Sequence, residues 1–299
     1  MRLIKNYMND ISLRHELNAL TQETFGFDFE GWVTNGYYEG DYIPYSYEED
    51  GKLIANVSAN RMEFVQNGKE KFYIQLGTVM TRKEFRNQGH ARRLMENVLA
   101  EYAGKCDGIY LYGDLDALEF YEKMGFSKGV QYQYRLKDDV KLNIQKKASE
   151  QDVVDCFHLV NPTEEFHKVH YKEAVRQSAV NSAFEQKNKY GLQMFYTSGM
   201  EQVNYCGKLD CYIVMEEQEH TLCLQSVICR GKVSLEDVLA LIPGEYSGII
   251  LGFTPCTEDA HLFVPQIYDG GEDYRFFYYG EQLKTIETER LYFPELSHA

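Results

Sequence analysis

Residues 74–95, IQLGTVMTRKEFRNQGHARRLM, constrain this chain more than any other stretch. The apolar run over 74–81 reads as a buried strand. A short polar turn follows, and then the basic start of a helix, Arg86-Asn87-Gln88-Gly89-His90-Ala91-Arg92-Arg93. The first N–H groups of a helix have no partner within it, and the helix dipole makes that end positive. A strand that feeds a glycine-containing turn and a helix start is therefore suited to an anion. Gly89 lets backbone and ligand approach closely, and Ala91 keeps the next turn small. Arg86, Arg92 and Arg93 concentrate positive charge in a chain whose net charge is −15. The same residues also suit an ordinary strand–helix junction with surface arginines, so the surrounding pattern has to decide.

That pattern is a meander followed by a crossover. Met1 to Tyr7 suits a short first strand, and Asn9-Asp10 offers a helix N-cap ahead of Leu13, Leu17 and Leu20 at helical spacing. Residues 27–45, rich in aromatics, glycine and acids and holding the only tryptophan, Trp32, predict an irregular helix and loop. Asp50-Gly51 and Asn67-Gly68 each separate two strand-like runs and suit hairpin turns in which both residues take positive φ. Three antiparallel strands thus lead into 74–81. Ala91, Leu94, Met95, Val98, Leu99 and Tyr102 form one apolar helix face. Residues 109–112 are the next strand, and a helix lies between it and 74–81, so the two should be parallel neighbours. The helix around Tyr121 should stop at Gly125, and Val130, Tyr132, Tyr134 and Leu136 alternate as a final strand.

The spacing Arg86-x-x-Gly89-x-Ala91 after a strand resembles the acyl-CoA signature of the GCN5-related N-acetyltransferase (GNAT) superfamily. Leu118-Glu119-Phe120-Tyr121-Glu122-Lys123-Met124-Gly125-Phe126 is similar to that family's second signature, a helix carrying Phe-Tyr and closing on Gly-Phe. The resemblance covers residues 1–137 well and the remainder in outline. It implies an α/β (α+β) fold: a mixed central sheet with an antiparallel meander and a parallel strand–helix–strand crossover. It also implies the co-substrate, acetyl-CoA. Gln88, Gly89, His90, Ala91 and Arg92, with Asn87 in the same turn and Arg86 nearby, would face its pyrophosphate. Val79, Met80 and Thr81 would pair with the pantetheine amides, one of their N–H groups polarising the thioester oxygen. Tyr121 matches the family's tyrosine that protonates the departing thiolate. A phenol of reference pKa about 10 keeps its proton at neutral pH. One departure stands out: where the family often has Asn just after the strand ending near Tyr112, this chain has Asp114, with Asp116 close by. No single general base is legible; Asp28, Glu30 and the chain end, Leu296-Ser297-His298-Ala299, are the options.

Residues 137–152 are charged and of ambiguous period, which places a domain boundary there, with units 1–140 and 148–299. The second unit repeats the architecture loosely. Helical material is expected over 151–189 and strands over 192–196, 210–216 and 221–229. A helix opens at Ser234-x-x-Asp237, and a buried strand spans 247–253. Cys229-Arg230-Gly231-Lys232-Val233-Ser234 lacks the second small residue of the signature. This half reads as a degenerate GNAT-like domain without its own CoA, or else as an unrelated α+β domain.

Length suits one large or two medium domains, and 44% hydrophobic residues suffice for a core. No uninterrupted apolar run reaches about 18 residues, so no membrane span is expected. The start, MRLIKNYMND, has no apolar h-region and reads as mature protein. Seven scattered cysteines without a C-x-x-C pair suggest reduced thiols and a cytoplasmic protein. No metal is expected: His167-x-x-His170 has no framing acid or cysteine. The acidic balance opposes nucleic acid, whose binding requires phosphate neutralisation, and permits a cationic partner such as a small-molecule or peptide amine. Three functions remain: an acetyl-CoA-dependent N-acetyltransferase acting on a primary amine, a catalytically silent acyl-CoA-binding regulatory module, and aminoacyl transfer from tRNA. The intact loop and the acidity oppose the last. Oligomeric state is not legible.

Overall fold

A computed structural model describes residues 1–148, 155–178 and 181–298. Strand β1 (Arg2–Lys5) precedes helix α1 (Ile11–Phe25), whose first turn is capped by Asp10 accepting from the Leu13 N–H at 3.1 Å. A short α2 (Glu30–Thr34) leads to the meander β2 (Tyr42–Glu49), β3 (Lys52–Gln66) and β4 (Lys69–Thr81). Both connections are tight turns with positive φ at each central residue: 51° and 80° at Asp50-Gly51, 47° and 78° at Asn67-Gly68. Helix α3 (His90–Tyr102) lays Leu94, Met95, Val98 and Leu99 on Ala55, Val57, Ile74 and Leu76. Strand β5 (Gly108–Asp114) then runs parallel to β4, followed by α4 (Leu118–Lys123) and β6 (Phe126–Lys128).

At this point the chain leaves the first sheet. The strand expected to complete that sheet is β7 (Gln131–Leu136), and it lies in the second sheet, between β13 (Gly248–Leu251) and β14 (Phe263–Tyr268). In the first sheet the position between β5 and β6 is taken by β15 (Tyr274–Tyr279) from the far end of the chain. The exchange is reciprocal. Phe277 of β15 is fully buried with Leu111, Phe126 and Val98 in the first core. Tyr134 and Leu136 of β7 are buried with Ile213, Leu224 and Ile249 in the second. Each such side chain moved out of water stabilises by about 1.5–3 kcal/mol. The two units expected at 1–140 and 148–299 therefore each lend a strand to the other. The alternation of Tyr132, Tyr134 and Leu136 specifies a half-buried strand, and nothing in it specifies the partner.

After β7 come α5 (Asp138–Ala148), β8 (His158–Leu159), α6 (Glu165–Gln177), β9 (Phe184–Gln186), α7 (Tyr190–Tyr196), β10 (Val203–Cys206), β11 (Cys211–Gln218), β12 (Thr221–Cys229) and α8 (Leu235–Ala240). The expectation of helix throughout 151–189 is corrected by β8 and β9; its residues 151–154, 179 and 180 lie outside the described ones. The expected strand over 192–196 is helix α7. Its run of apolar residues fits either period, and packing selects the helical one. At Ser234 the expected cap makes no side-chain hydrogen bond to its helix.

The first sheet runs β1-β2-β3-β4-β5-β15-β6, with β9 added beside β3, and the second runs β8-β10-β11-β12-β13-β7-β14. In each path the fourth and fifth strands are the parallel pair. The second half thus repeats the strand order of the first. Beyond α9 (Lys284–Thr288) the terminal segment runs between the halves. Phe293 N–H bonds Gln131 Oε1 at 2.9 Å, and Glu295 N–H bonds the Gly252 carbonyl at 2.7 Å.

Candidate active site

Strands β4 and β5 pair only from Tyr73 with Gly108 to Leu76 with Leu111, and then part. The wedge they open is shaped by a bulge. Gly77 to Met80 on β4 spans three steps against two, Ser58 to Asn56, on β3. Thr78 stands at φ 42°, a costly position for a β-branched residue. A polar network secures it. Asn56 Nδ2 donates to the Thr78 carbonyl at 3.0 Å, Thr78 Oγ1 donates to Ser58 Oγ at 2.9 Å, and Tyr42 Oη lies 2.8 Å from Thr78 Oγ1. The bulge turns Gly77, Thr78 and Val79 into the lining of the wedge, while Met80 is buried in the core and Thr81 is half-buried.

Past Thr81, residues 82–89 form a loop and α3 begins at His90. Gly89 sits at φ 77° with no side-chain cap, and a Cβ added there would meet nothing within 4 Å. The mouth of α3 is therefore uncapped by a side chain and its glycine borders open space, as an anion site requires. The arginines divide. Arg93 donates to the Gln88 carbonyl at 3.2 Å and approaches His90 Nδ1 at 3.1 Å, which braces the loop. Arg92 pairs with Glu96 at 3.1 Å, and Arg86 donates to the Thr81 carbonyl at 3.1 Å; both remain exposed. Asn87 takes φ 61°, Gln88 Nε2 donates to the Glu84 carbonyl at 3.2 Å, and Ala91 is half-buried on the first turn. The His90 ring turns inward beside Tyr47 and Phe85, so only its backbone is available to a ligand.

Tyr121 on α4 closes the other side of the wedge. Its ring packs over Gly113 of β5 and against Phe120, Phe126 and Phe277. Burial, reinforced by the Asp114 carboxylate, raises the phenol above its ordinary pKa, so it holds its proton at any physiological pH. Asp114 lines the same cavity and lies outside the loop at 82–89.

Val79, Tyr121 and Asp114 border a cavity of about 370 Å³. Its outer part is aromatic: Phe27, Phe29, Trp32 and Tyr42 from the first half, and Leu192, Phe195 and Tyr196 from α7. The three α7 residues share one helix face, and Trp32 Nε1 donating to the Gly191 carbonyl at 2.7 Å holds α7 in place. His298 and Tyr112 line the remaining part. Sequence reasoning did not assign this far wall, because the α7 run was read as a strand.

Two proposed bases are otherwise engaged. Glu30 accepts both Nε and Nη2 of Arg14 at 2.9 Å and Asn18 at 2.9 Å, and this pairing depresses its pKa. Asp28 accepts the Glu30 N–H at 2.9 Å. Neither lines the cavity. Ala299 lies outside the described residues, whereas His298 is within them. His167 and His170 both reach Tyr212 Oη, at 3.1 and 3.0 Å, and the expectation that no acid frames them is corrected by Asp210, 3.1 Å from His170 Nε2, and Glu164, 3.7 Å from His167 Nε2. Among the described residues no cluster of His, Cys, Asp and Glu is arranged to hold a metal, and no helix is long and apolar enough to cross a membrane.

The corresponding wedge of the second sheet is closed. Strands β12 and β13 part after Leu224 and Leu251. There the Glu295 N–H binds the Gly252 carbonyl, and a Cβ on Gly252 would meet Glu295 Cβ at 2.9 Å. A cavity of only about 10 Å³ remains beside Gln225, Ser226 and Pro294.

Residues 11–126 match the family model described as Acetyltransferase (GNAT) family. Among solved structures the chain is similar to a GCN5-related N-acetyltransferase from Kribbella flavida, at 13% identity over 93% of this chain and 71% of that one, with a TM-score of 0.55. It is also similar to a conserved protein of unknown function and probable N-acyltransferase from Enterococcus faecalis V583, at 14% identity, 95% and 73% coverage and a TM-score of 0.58. Eis1 from Mycobacterium abscessus is similar at 12% identity, 92% and 73% coverage and a TM-score of 0.53. These likenesses span both halves and establish a shared fold. No curated protein matches the sequence.

Proposed function

We propose that this chain, whose residues 11–126 form a GNAT domain, transfers the acetyl group of acetyl-CoA to a primary amine of a small molecule or lysine-like acceptor. The observation that carries the reading is the open wedge of the first sheet, in which the bulged β4 strand, the Tyr121 phenol and an aromatic cavity of about 370 Å³ meet. The open N-terminus of α3 and the unpaired edge of β4 fit a diphosphate joined to an amide chain. In this reading residues 86–92 hold the pyrophosphate. Val79, Met80 and Thr81 hold the pantetheine, and one of their N–H groups polarises the thioester carbonyl. Tyr121 protonates the leaving sulfur. The lining further supports an acceptor whose amine is carried on an apolar or aromatic body. An apolar chamber favours the neutral, nucleophilic form of an alkyl amine, whose pKa of about 10 leaves it almost wholly protonated in water. The units 1–140 and 148–299 then serve as a catalytic domain and a GNAT-like companion that walls the acceptor site.

The test is an acceptor screen with acetyl-CoA, following free thiol release across arylalkylamines, alkylamines, amino acids, aminoglycosides and peptides. Turnover with apolar amines in preference to polycations is the expected outcome. Acetyl-CoA binding without turnover on any amine would favour a silent acyl-CoA module.

A further inference from the structure

The terminal segment delivers one imidazole to the cavity lining. His298 is half-buried, its ring lying 4.0 Å from that of Tyr112 on β5. Nε2 is buried and has no hydrogen-bond partner among the described residues. A neutral imidazole with its proton on Nδ1 carries its lone pair on Nε2. His298 borders the same cavity as Val79 and Tyr121. Tyr112 Oη, on the neighbouring ring, is also buried without a partner.

We propose that His298 is the general base of the acyl transfer, receiving through Nε2 the proton that the acceptor nitrogen loses. This rests on the N-acetyltransferase reading above. The acceptor enters as the neutral amine and its nitrogen attacks the thioester carbonyl. As the C–N bond forms, that nitrogen becomes strongly acidic and its N–H proton passes to His298 Nε2. The C–S bond breaks, and the thiolate takes the proton of the Tyr121 hydroxyl. Passage of a proton from the His298 imidazolium to the Tyr121 phenolate resets both groups. The amine has then lost one proton and the thiol has gained one.

The groups facing His298 are Tyr112 on β5, Tyr274 on β15 and Tyr292 and Glu295 on its own segment. Asp114 and Tyr196 border the same cavity. Burial lowers the imidazole pKa, and Glu295 opposes that shift only in part, so His298 is neutral and able to accept a proton at pH 7.

The experiment measures kcat/KM against pH for the full chain, with acetyl-CoA and phenethylamine, over about pH 5.5 to 9.5. His298→Gln is expected to lower kcat/KM by about 10²-fold or more and to leave acetyl-CoA affinity intact. The acidic limb set by the imidazole should give way to a steady rise with pH, and added imidazole should restore part of the rate. Retention of rate and profile in His298→Gln overturns the proposal. If Asp114→Asn then loses the rate, the role passes to Asp114. A measurement independent of turnover is ¹⁵N NMR of histidine-labelled protein. The proposal requires His298 in the neutral Nδ1–H form, and an Nε2–H form overturns it. Failure of the unaltered chain to acetylate any amine would instead remove the N-acetyltransferase reading, with the tautomer still decided by NMR.

Discussion

The position of Tyr121 depends on one missing methyl group. Gly113 lies beneath its ring, and a Cβ there would stand 2.6 Å from Cε2 and 2.7 Å from Cδ2. Carbon atoms pack at about 3.5–4.0 Å, so in Gly113→Ala the ring must retreat by about 1 Å or β5 must shift. The ring is enclosed by Phe120, Phe126 and Phe277, and overpacking of this kind typically costs about 1–3 kcal/mol of stability. A displacement of about 1 Å in a reacting group can cost about 10²-fold in rate. Loss of a general acid costs at least a similar factor. Stopped-time thiol release gives kcat, calorimetric titration gives the acetyl-CoA Kd, and a urea midpoint checks folding. Gly113→Ala should lower kcat by about 10²-fold with Kd nearly unchanged, and Tyr121→Phe should do the same. Because both act through one hydroxyl, the double variant should be no slower than Tyr121→Phe alone. Full kcat in folded Gly113→Ala, or strictly multiplicative effects in the double variant, would refute the placement of the phenol as proton donor.

Gly89→Glu should abolish CoA binding in a protein that remains folded. It removes a positive-φ glycine and sets a carboxylate in the helix-terminus field. A field of about 2 kcal/mol and lost charge-assisted hydrogen bonds of about 1.5–3 kcal/mol amount to roughly 10²-fold or more in Kd; calorimetry giving unchanged affinity would place the phosphates elsewhere. One equivalent of CoA should bind per chain, since the second wedge retains only about 10 Å³, and a titration returning two would contradict this. Stability should hold up to about pH 10 and fall above it. Burial raises the phenols of Tyr7, Tyr42, Tyr121 and Tyr171 above their unfolded value, so their contribution is complete below that value and is lost as pH climbs through the folded ones. Urea midpoints that stay level across this alkaline range would contradict it.

Much of the fold was legible because its signals are local. Asp50-Gly51 and Asn67-Gly68 determine two turns through backbone chemistry alone, and the apolar face of α3 follows from spacing. The parallel pairing of β4 with β5 follows from the helix between them. The wedge was therefore foreseeable, together with the glycine at the mouth of α3 and the tyrosine on α4. Tertiary structure alone decided the rest. Strand β7 has the alternation of a half-buried strand, but period two names a face and no partner, so only long-range packing could send it to the second sheet and bring Phe277 into its place. Residues 192–196 satisfy both periods at such short length. Their helical form is held from a distance, by Trp32 bonding Gly191 across 159 positions and by the walls of the chamber. Finally, the chain end stood among the options for the base, but no local pattern singles out His298 within it. His298 reaches the cavity through long-range contacts of the terminal segment, whose Phe293 and Glu295 N–H groups bond Gln131 Oε1 and the Gly252 carbonyl.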